Sequence, residues 1–272
     1  MLPIYSKKKG GFLLGNEYVP KLRMKKSTFL ALILLLIPFI VVVPLYLPHH
    51  EEFEANGDIS SVEELGVDGH VYFTYVHYGV TKNYAEKIAI MMSLRNDVEF
   101  TPLEDYTYEE FLASEDVVDE FQYETISNAV SYAGNMSSNE STTALNTKIQ
   151  EILVQTVNYS GDSFGLMIAI GLIEEWQQID FSKGGKYKIA GTGAMLYDQS
   201  VGSIGSVRHK LLTAEENGVD IFFIPKDKQY FEDPTMSNQY EAEQVVKAEG
   251  LSLKVIPVSN LDDAISVLKS LN

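Results

Sequence analysis

The feature that most constrains this chain is an uncharged apolar segment close to its N-terminus. Residues 27–47 read STFLALILLLIPFIVVVPLYL, without a single charged side chain. A helix of this length crosses a hydrocarbon core about 30 Å thick, and membrane helices tolerate prolines such as Pro38 and Pro44. The alternative is a cleaved signal peptide. The length of the run, and the absence of a small-x-small cleavage pattern after it, favour a retained transmembrane helix.

Basic residues are concentrated before this segment. Residues 1–26 contain seven of the 21 basic residues of the chain but only one of its 38 acids, Glu17. The positive-inside rule therefore predicts a cytoplasmic tail over 1–26 and an extracytoplasmic location for everything after Leu47. The outer part is left with a net charge of −23, which makes nucleic acid a poor partner. The absence of cysteine excludes disulfides and thiolate chemistry.

The outer part divides by composition into two regions. Residues 48–68 are acidic and polar, and predict a stalk between membrane and fold. Residues 69–272 alternate between strand and helix patterns, which predicts a domain of class α/β (α+β) with small sheets and flanking helices. Residues 97–124 are rich in acids and predict helices with one solvated acidic face, and 134–143 have the composition of a loop. The predicted strands are 69–76, 186–196, 219–224 and 251–258, and the other predicted helices are 83–94, 164–177, 205–217, 239–248 and 261–271.

A candidate nucleophile lies in the segment Gly161-Asp162-Ser163-Phe164-Gly165, which matches G-x-S-x-G. It stands between an extended segment and an apolar helix, so the helix start offers free N–H groups to an oxyanion. An α/β-hydrolase elbow would need an acid and then a histidine downstream. Only His209 follows, in the middle of a predicted helix. A chymotrypsin-like arrangement fits no better, because the chain after Ser163 is strongly helical.

A lysine supplies the alternative general base. On the helix predicted over 205–217, Val207, Lys210, Leu211 and Ala214 recur at i, i+3, i+4 and i+7. This spacing places Lys210 on the apolar stripe and points His209 elsewhere. Ionised lysine is costly to bury, and burial lowers its pKa until the amine can act as a base. The competing interpretation is a lysine at the edge of the stripe that reaches water.

Several blocks in order resemble the proteolytic domain of the Lon family, in particular its membrane-anchored bacterial relatives that carry a PDZ domain. Their serine motif reads roughly G-P-S-A-G-L-M, where residues 161–167 read GDSFGLM. Their next block is T-G, followed by I-G-G-(x)3-K; here these are Thr192-Gly193 and residues 204–210, IGSVRHK. A strand ending in Pro225 follows, as in the family. The matching catalytic blocks span 161–226.

The resemblance implies a fold and a set of roles. The domain would adopt the Lon proteolytic fold, with Ser163 as nucleophile and Lys210 as general base. Thr192 would hold the lysine amine, and the turn Gly161, Asp162 and Gly165 would present oxyanion donors near Asp162 and Ser163. No metal or organic cofactor is implied. No G-x-x-x-x-G-K-[ST] motif is present, so the predicted activity is an ATP-independent serine endopeptidase acting on extracytoplasmic peptides or unfolded proteins.

Three departures from the family pattern keep alternatives open. Asp162 and Phe164 replace the family's Pro and Ala beside the nucleophile, and Ser206 replaces the second Gly before the lysine helix. No PDZ domain fits between residues 133 and 161. Asp162, Phe164 and the missing PDZ domain favour a catalytically impaired Lon-like binding or scaffold protein as the alternative, and a Ser-His hydrolase using the GDSFG motif is less favoured. The sequence does not fix the oligomeric state, and an oligomer is possible.

Overall fold

The apolar segment forms one helix, α1 (Lys26–Leu45), in a computed structural model that describes residues 25–94, 98–103, 110, 115–137, 141–226 and 237–271. Its mean hydropathy is 2.9, and none of its side chains is buried. Pro38 and Pro44 both lie inside it. By length and composition it is the single helix in these ranges that is able to cross a membrane. The chain divides after Leu47, and residues 48–272 form a separate unit.

A six-stranded mixed sheet organises residues 48–272. In chain order the strands are β1 (Pro48–Ser61), β2 (Val71–Asn83), β3 (Val98–Pro102), β4 (Ile189–Gly191), β5 (Ala194–Met195), β6 (Val201–Gly202), β7 (Ile221–Pro225) and β8 (Lys254–Val258). The large sheet has the order β3-β1-β2-β4-β7-β8, and β5 and β6 form a separate antiparallel pair. β1 pairs antiparallel with β2 and β3, whereas β2, β4, β7 and β8 run parallel.

Seven helices accompany the strands in the described part of residues 48–272. Ser141, Ser237 and Asn260 each cap a helix by accepting a hydrogen bond from a main-chain N–H of its first turn. Asn260 is also predicted as a cap from the sequence alone, because it directly precedes the helical pattern of 261–271. The helices are α2 (Tyr84–Leu94), α3 (Glu115–Ser137), α4 (Thr142–Gln155), α5 (Gly165–Gln177), α6 (Val207–Glu216), α7 (Asn238–Glu249) and α8 (Leu261–Ser270).

The sheet separates two hydrophobic cores. On β7, Ile221 and Phe223 belong to one core and Phe222 belongs to the other, as strand alternation requires. α5 and α8 pack into the first core, and α6 and α7 into the second. Strands buried on both faces read as continuous apolar runs, which explains the sequence IFFIP of β7. The arrangement is a three-layer α/β unit with flanking helices, in agreement with the coarse class predicted from the sequence.

The structure differs from the sequence-based expectation over residues 48–68. Instead of a stalk, Pro48–Ser61 forms β1, which lies between β3 and β2 inside the sheet. The sequence does not predict this strand, because its side chains are largely acidic and polar. Glu51 is buried and forms an ion pair with Lys87, and the neighbouring strands satisfy the main chain on both sides. Residues 62–65 continue as a 3₁₀ turn with buried Val62 and Leu65.

Two further segments differ in detail. Within the acidic segment 97–124, Val98–Pro102 forms β3 rather than a helix, while α3 begins at Glu115. Residues 97, 104–109 and 111–114 of this segment lie outside the described ranges. The predicted strand over 186–196 is two short strands, β4 and β5, because Thr192 and Gly193 interrupt it. The predicted loop over 134–143 is shorter, since α3 continues to Ser137 and α4 begins at Thr142; residues 138–140 are not described.

Candidate active site

The turn that carries Ser163 depends on both of its glycines. Gly161 has φ of 90°, a conformation that side chains with a Cβ rarely adopt. A Cβ on Gly165 would lie 2.1 Å from Thr125 Oγ1 of α3, so α3 and the start of α5 can approach only because this residue is glycine. Ser163 itself is half-buried. The G-x-S-x-G pattern therefore has a steric basis at both ends.

The two residues that flank Ser163 lie in different environments. Phe164 is 3% exposed and packs edge-on against Phe73 of β2, with ring centroids 5.9 Å apart. The bulky ring of Phe164 is therefore part of the hydrophobic core. Asp162 stays at the site and is half-buried. Burial raises the pKa of Asp162, and a hydrogen bond from its own N–H and the charge of Lys210 act in the opposite direction.

Main-chain N–H groups at this turn differ in their availability to an oxyanion. The N–H of Gly165 donates to the Asp162 carbonyl over 3.1 Å. The N–H groups of Asp162, Ser163 and Phe164 donate to no other described residue. These three N–H groups are therefore the donors that the turn can offer to an oxyanion.

Thr192 and Gly193 lie immediately after the central strand β4 and contact the Ser163 turn. The N–H of Gly193 donates to the carbonyl oxygen of Ser163 over 2.7 Å, and the N–H of Leu166 donates to the carbonyl of Gly193 over 2.9 Å. A Cβ on Gly193 would lie 2.3 Å from Val201 Cγ1. The Thr-Gly block thus fixes the serine turn to the carboxyl end of β4.

Lys210 projects from α6 into this region and is 5% exposed. Val207, Leu211 and Ala214 are buried beside it, as the helical spacing predicts. Burial lowers the pKa of Lys210 from 10.5 to about 8, because the charged form loses its solvation; Asp162 and Glu54 act in the opposite direction. At a pH near 8 a substantial fraction of this amine is neutral and can accept a proton.

Thr192 connects the lysine to the serine turn. Lys210 Nζ donates to Thr192 Oγ1 over 3.3 Å, and Thr192 Oγ1 donates to the carbonyl oxygen of Ser163 over 3.2 Å. Thr192 is fully buried. Among the hydrogen bonds of the described residues, none joins Ser163 Oγ directly to Lys210 Nζ. The structure therefore brings Ser163, Thr192 and Lys210 together. Ser163 precedes the start of α5, Thr192 follows the end of β4, and Lys210 lies on α6.

Ser206, the residue before α6, adopts a left-handed conformation with φ of 59°. Its carbonyl accepts the hydrogen bond from the N–H of Lys210 over 3.0 Å and so begins the helix. Glycine adopts this conformation without the steric cost that a Cβ introduces. The position therefore has a physical preference for glycine, and a serine there is strained.

His209 points away from the buried stripe, as the helical spacing predicts. It is nevertheless buried, at 1% exposed, which the spacing does not predict. Its Nδ1 lies 2.9 Å from Asn56 Oδ1 of β1, and its Nε2 lies 3.9 Å from Glu99 Oε2 of β3. These contacts come from residues 110 and 153 positions away along the chain, so no local pattern could have revealed them. His209 is turned to β1, and no described hydrogen bond links it to Ser163.

A second cluster has the chemistry of metal ligands. His70, Glu174 and Asp180 hold ligand atoms within 4.8 Å of one another. However, Glu174 accepts main-chain hydrogen bonds from Phe181 and His70 over 2.7 and 2.6 Å, and Asp180 accepts one from Gly184 over 2.7 Å. Glu174 therefore connects the loop after α5 to the start of β2, and Asp180 stabilises that loop. Their arrangement is accounted for by that structural role.

Two surface cavities lie elsewhere. The larger, of about 620 Å³, is beside Tyr132 and Leu261, and the smaller, of about 530 Å³, is beside His70 and Tyr187. Neither is lined by Ser163 or Lys210. We assign the candidate site from its chemistry, because hydrogen bonds and a perturbed amine define a reactive position more directly than cavity size does.

Comparison with known proteins adds no family assignment: no protein-family model and no curated protein matches the chain.

Proposed function

We propose that the protein is a membrane-anchored serine endopeptidase that uses Ser163 and Lys210. The observation that carries the proposal is the buried amine of Lys210, with its pKa lowered to about 8 and its Nζ bonded to Thr192. Thr192 in turn bonds the main chain of Ser163. A buried amine with a lowered pKa, linked through a threonine to the turn that carries a serine, supports a lysine base for that serine in the absence of histidine.

The proposed chemistry is acyl transfer. Neutral Lys210 takes the proton of Ser163 Oγ as the oxygen attacks a peptide carbonyl, and the available N–H groups of the Ser163 turn stabilise the oxyanion. The protonated amine then gives its proton to the leaving nitrogen as the C–N bond breaks. Water attacks the resulting ester, with Lys210 again as base, and frees Ser163. Thr192 holds the amine in place, since a neutral amine can donate to its hydroxyl and keep its lone pair for Ser163.

We also propose that α1 is a retained anchor with the N-terminus in the cytoplasm. Its length, its mean hydropathy of 2.9 and the seven preceding bases support this orientation. A cysteine placed at Tyr197, which is 91% exposed, would be the only thiol of the chain. A membrane-impermeant maleimide should label it in intact cells, and the labelled chain should stay in the membrane fraction. Labelling only after lysis would contradict the orientation, and release at reduced size would indicate a cleaved signal peptide.

The substrate class follows from what the chain contains. No phosphate-binding motif for ATP is present in the sequence, so the sequence has no recognisable ATPase site that could drive the unfolding of substrates. The proposed substrates are therefore peptides, exposed loops or unfolded proteins outside the cytoplasm.

A catalytically impaired binding protein with the same fold is the second candidate. The absence of a direct hydrogen bond between Ser163 and Lys210 favours it, together with the charge of Asp162 next to the nucleophile. The two candidates differ in one measurable property. An endopeptidase turns over peptide bonds, whereas the binding protein retains a peptide without cleaving it.

The experiment is peptide-library cleavage by the purified protein and three variants. Ser163→Ala should abolish cleavage. Lys210→Arg should reduce kcat/KM about 10²–10⁴-fold, because it removes the general base and keeps the charge. His209→Asn, which preserves a partner for Asn56, is the control and should keep activity within several-fold. Cleavage that survives Lys210→Arg and disappears in His209→Asn would refute the Ser-Lys assignment in favour of a Ser-His hydrolase.

A further inference from the structure

Helix α2 presents its apolar face to solvent. Tyr84, Ile88, Met91 and Met92 are 43%, 44%, 51% and 80% exposed, and the helix has no buried residue. They recur at i, i+4, i+7 and i+8, so they form one continuous stripe. We call these four residues the α2 stripe. A surface helix normally turns such a stripe to the core and its polar residues to water.

The start of α2 is tied to the point where the chain leaves α1. Asn83, just before α2, is the register partner of Pro48, the first residue of β1. The ring of His49 stacks on Tyr84 with centroids 3.9 Å apart. Pro48 follows Leu45, the last residue of α1, by three positions, a span of at most about 10 Å. The start of α2 therefore lies beside the first residue of β1, three positions along the chain from the last residue of the proposed membrane helix.

We propose that the α2 stripe lies in the boundary between headgroups and acyl chains of the membrane that holds α1. This inference rests on the proposed anchor. Amphipathic helices bury their apolar faces about 5–10 Å into this boundary, a depth that matches the short link between α1 and β1. Tyr46 and Tyr84, both exposed, are residues of the type that concentrates at membrane interfaces.

The charges near α2 indicate which force drives this contact. The residues after α1 carry a net charge of −23, so anionic headgroups repel the domain as a whole. Lys87, on the protein-facing side of α2, is already paired with Glu51. The contact therefore depends on apolar burial, and it should form on zwitterionic lipid and resist salt.

The contact also determines how far the active site lies from the surface of the bilayer. Ser60, twelve residues along β1 from Pro48, bonds the hydroxyl of Tyr159, which precedes Ser163 by four residues. At about 3.3 Å per residue, β1 separates α2 from Tyr159 by up to about 40 Å. It separates α2 from Asn56, which contacts His209 next to Lys210, by up to about 26 Å. With the α2 stripe in the lipid, the site faces chains in the aqueous phase rather than segments at the bilayer surface.

The chain contains no cysteine, so single nitroxide labels can report the depth of chosen positions. Met92→Cys and Val157→Cys are matched, because the two side chains are 80% and 78% exposed. Val157 lies near Tyr159, at the far end of β1. The full chain is reconstituted in phosphatidylcholine vesicles and each label is tested with oxygen, which partitions into lipid, and with a water-soluble nickel chelate.

The label at 92 should collide several-fold more with oxygen than with the chelate, and the label at 157 should show the reverse. Ile88→Lys should remove the preference at 92, whereas 1 M NaCl should leave it unchanged. If vesicle flotation leaves the protein in the aqueous fraction, the proposed anchor is wrong. If the protein floats but the label at 92 meets the chelate freely, the anchor stands and this inference is overturned. A label at 92 shielded from both reagents would also overturn it, since another protein surface would then cover the stripe.

Discussion

Replacing Lys210 with methionine should stabilise the protein while it destroys the proposed base. Methionine keeps the length of the side chain and removes the charge. The folded-state pKa of about 8 lies below the ordinary 10.5, so the unfolded chain holds its proton to a higher pH than the folded chain does. The cost of burying the charge is therefore present in full below pH 8, and it disappears as the pH rises from 8 to 10.5.

The magnitude follows from the difference between the two pKa values. At 1.36 kcal/mol per unit, the penalty at pH 7 is about 3 kcal/mol, and at pH 9.5 it has fallen by about 2 kcal/mol. Lys210→Met should therefore be more stable than the native sequence at pH 7, with a clearly smaller advantage at pH 9.5. Lost hydrogen bonding to Thr192 will reduce the gain at both values of pH but not the difference between them.

The assay is denaturant unfolding of residues 48–272, in native and Lys210→Met forms, at pH 7 and pH 9.5. Subtracting the two forms cancels the titration of all other groups that the substitution leaves unchanged. A stability difference that is the same at both pH values would refute the reasoning, because it would mean that Lys210 titrates at the same pH in the folded and unfolded chains.

Three smaller changes test other parts of the account. Ser206→Gly should raise the free energy of unfolding by about 1 kcal/mol in denaturant titrations, since it relieves a left-handed serine; Gly205→Ala is the neighbouring control, and a loss of stability in Ser206→Gly would contradict the assignment of strain. Gly165→Ala should destabilise the protein by about 2 kcal/mol or more, and adding Thr125→Ala should restore part of that loss. Thermal melts in which the double variant is no more stable than Gly165→Ala would be inconsistent with the close approach of α3 and α5. Thr192→Val should lower kcat with little change in KM, because it frees the amine of Lys210 without altering its burial; an equal loss through KM alone would assign Thr192 to substrate binding.

Local signals predicted much of the fold. The apolar run of α5 and the Asn260 cap of α8 need no distant partner to be recognised, and both elements are present. β1 was missed, because the acids and the Asn-Gly-Asp sequence of Pro48–Ser61 are unfavourable in strands. Its conformation comes from pairing with β2 and β3, which a scan along the chain does not detect. The strand β3 was missed within the acidic segment for the same reason.

In the candidate site too, local features could be predicted from the sequence, whereas contacts between distant segments could not. The burial of Lys210 could be predicted from the spacing of Val207, Leu211 and Ala214, because that signal is contained in one helix. Its hydrogen bond to Thr192 depends on how α6 packs against the end of β4, and the sequence alone gave only the order of the two blocks. The burial of His209 depends on Asn56, a residue of the strand that was interpreted as a stalk. Because the sequence does not predict β1 and β3, it does not predict the burial of His209 against them.

The most direct test of the central claim is the pH dependence of covalent labelling of Ser163 by a fluorophosphonate. Peptide mapping should find the adduct on Ser163, and the labelling rate should rise with pH to a plateau with an apparent pKa near 8, the value that burial gives Lys210. Lys210→Arg should reduce the rate at every pH and abolish the inflection. Labelling of Ser163 that continues to rise through pH 10, or that is unchanged by Lys210→Arg, would contradict the assignment of Lys210 as the base.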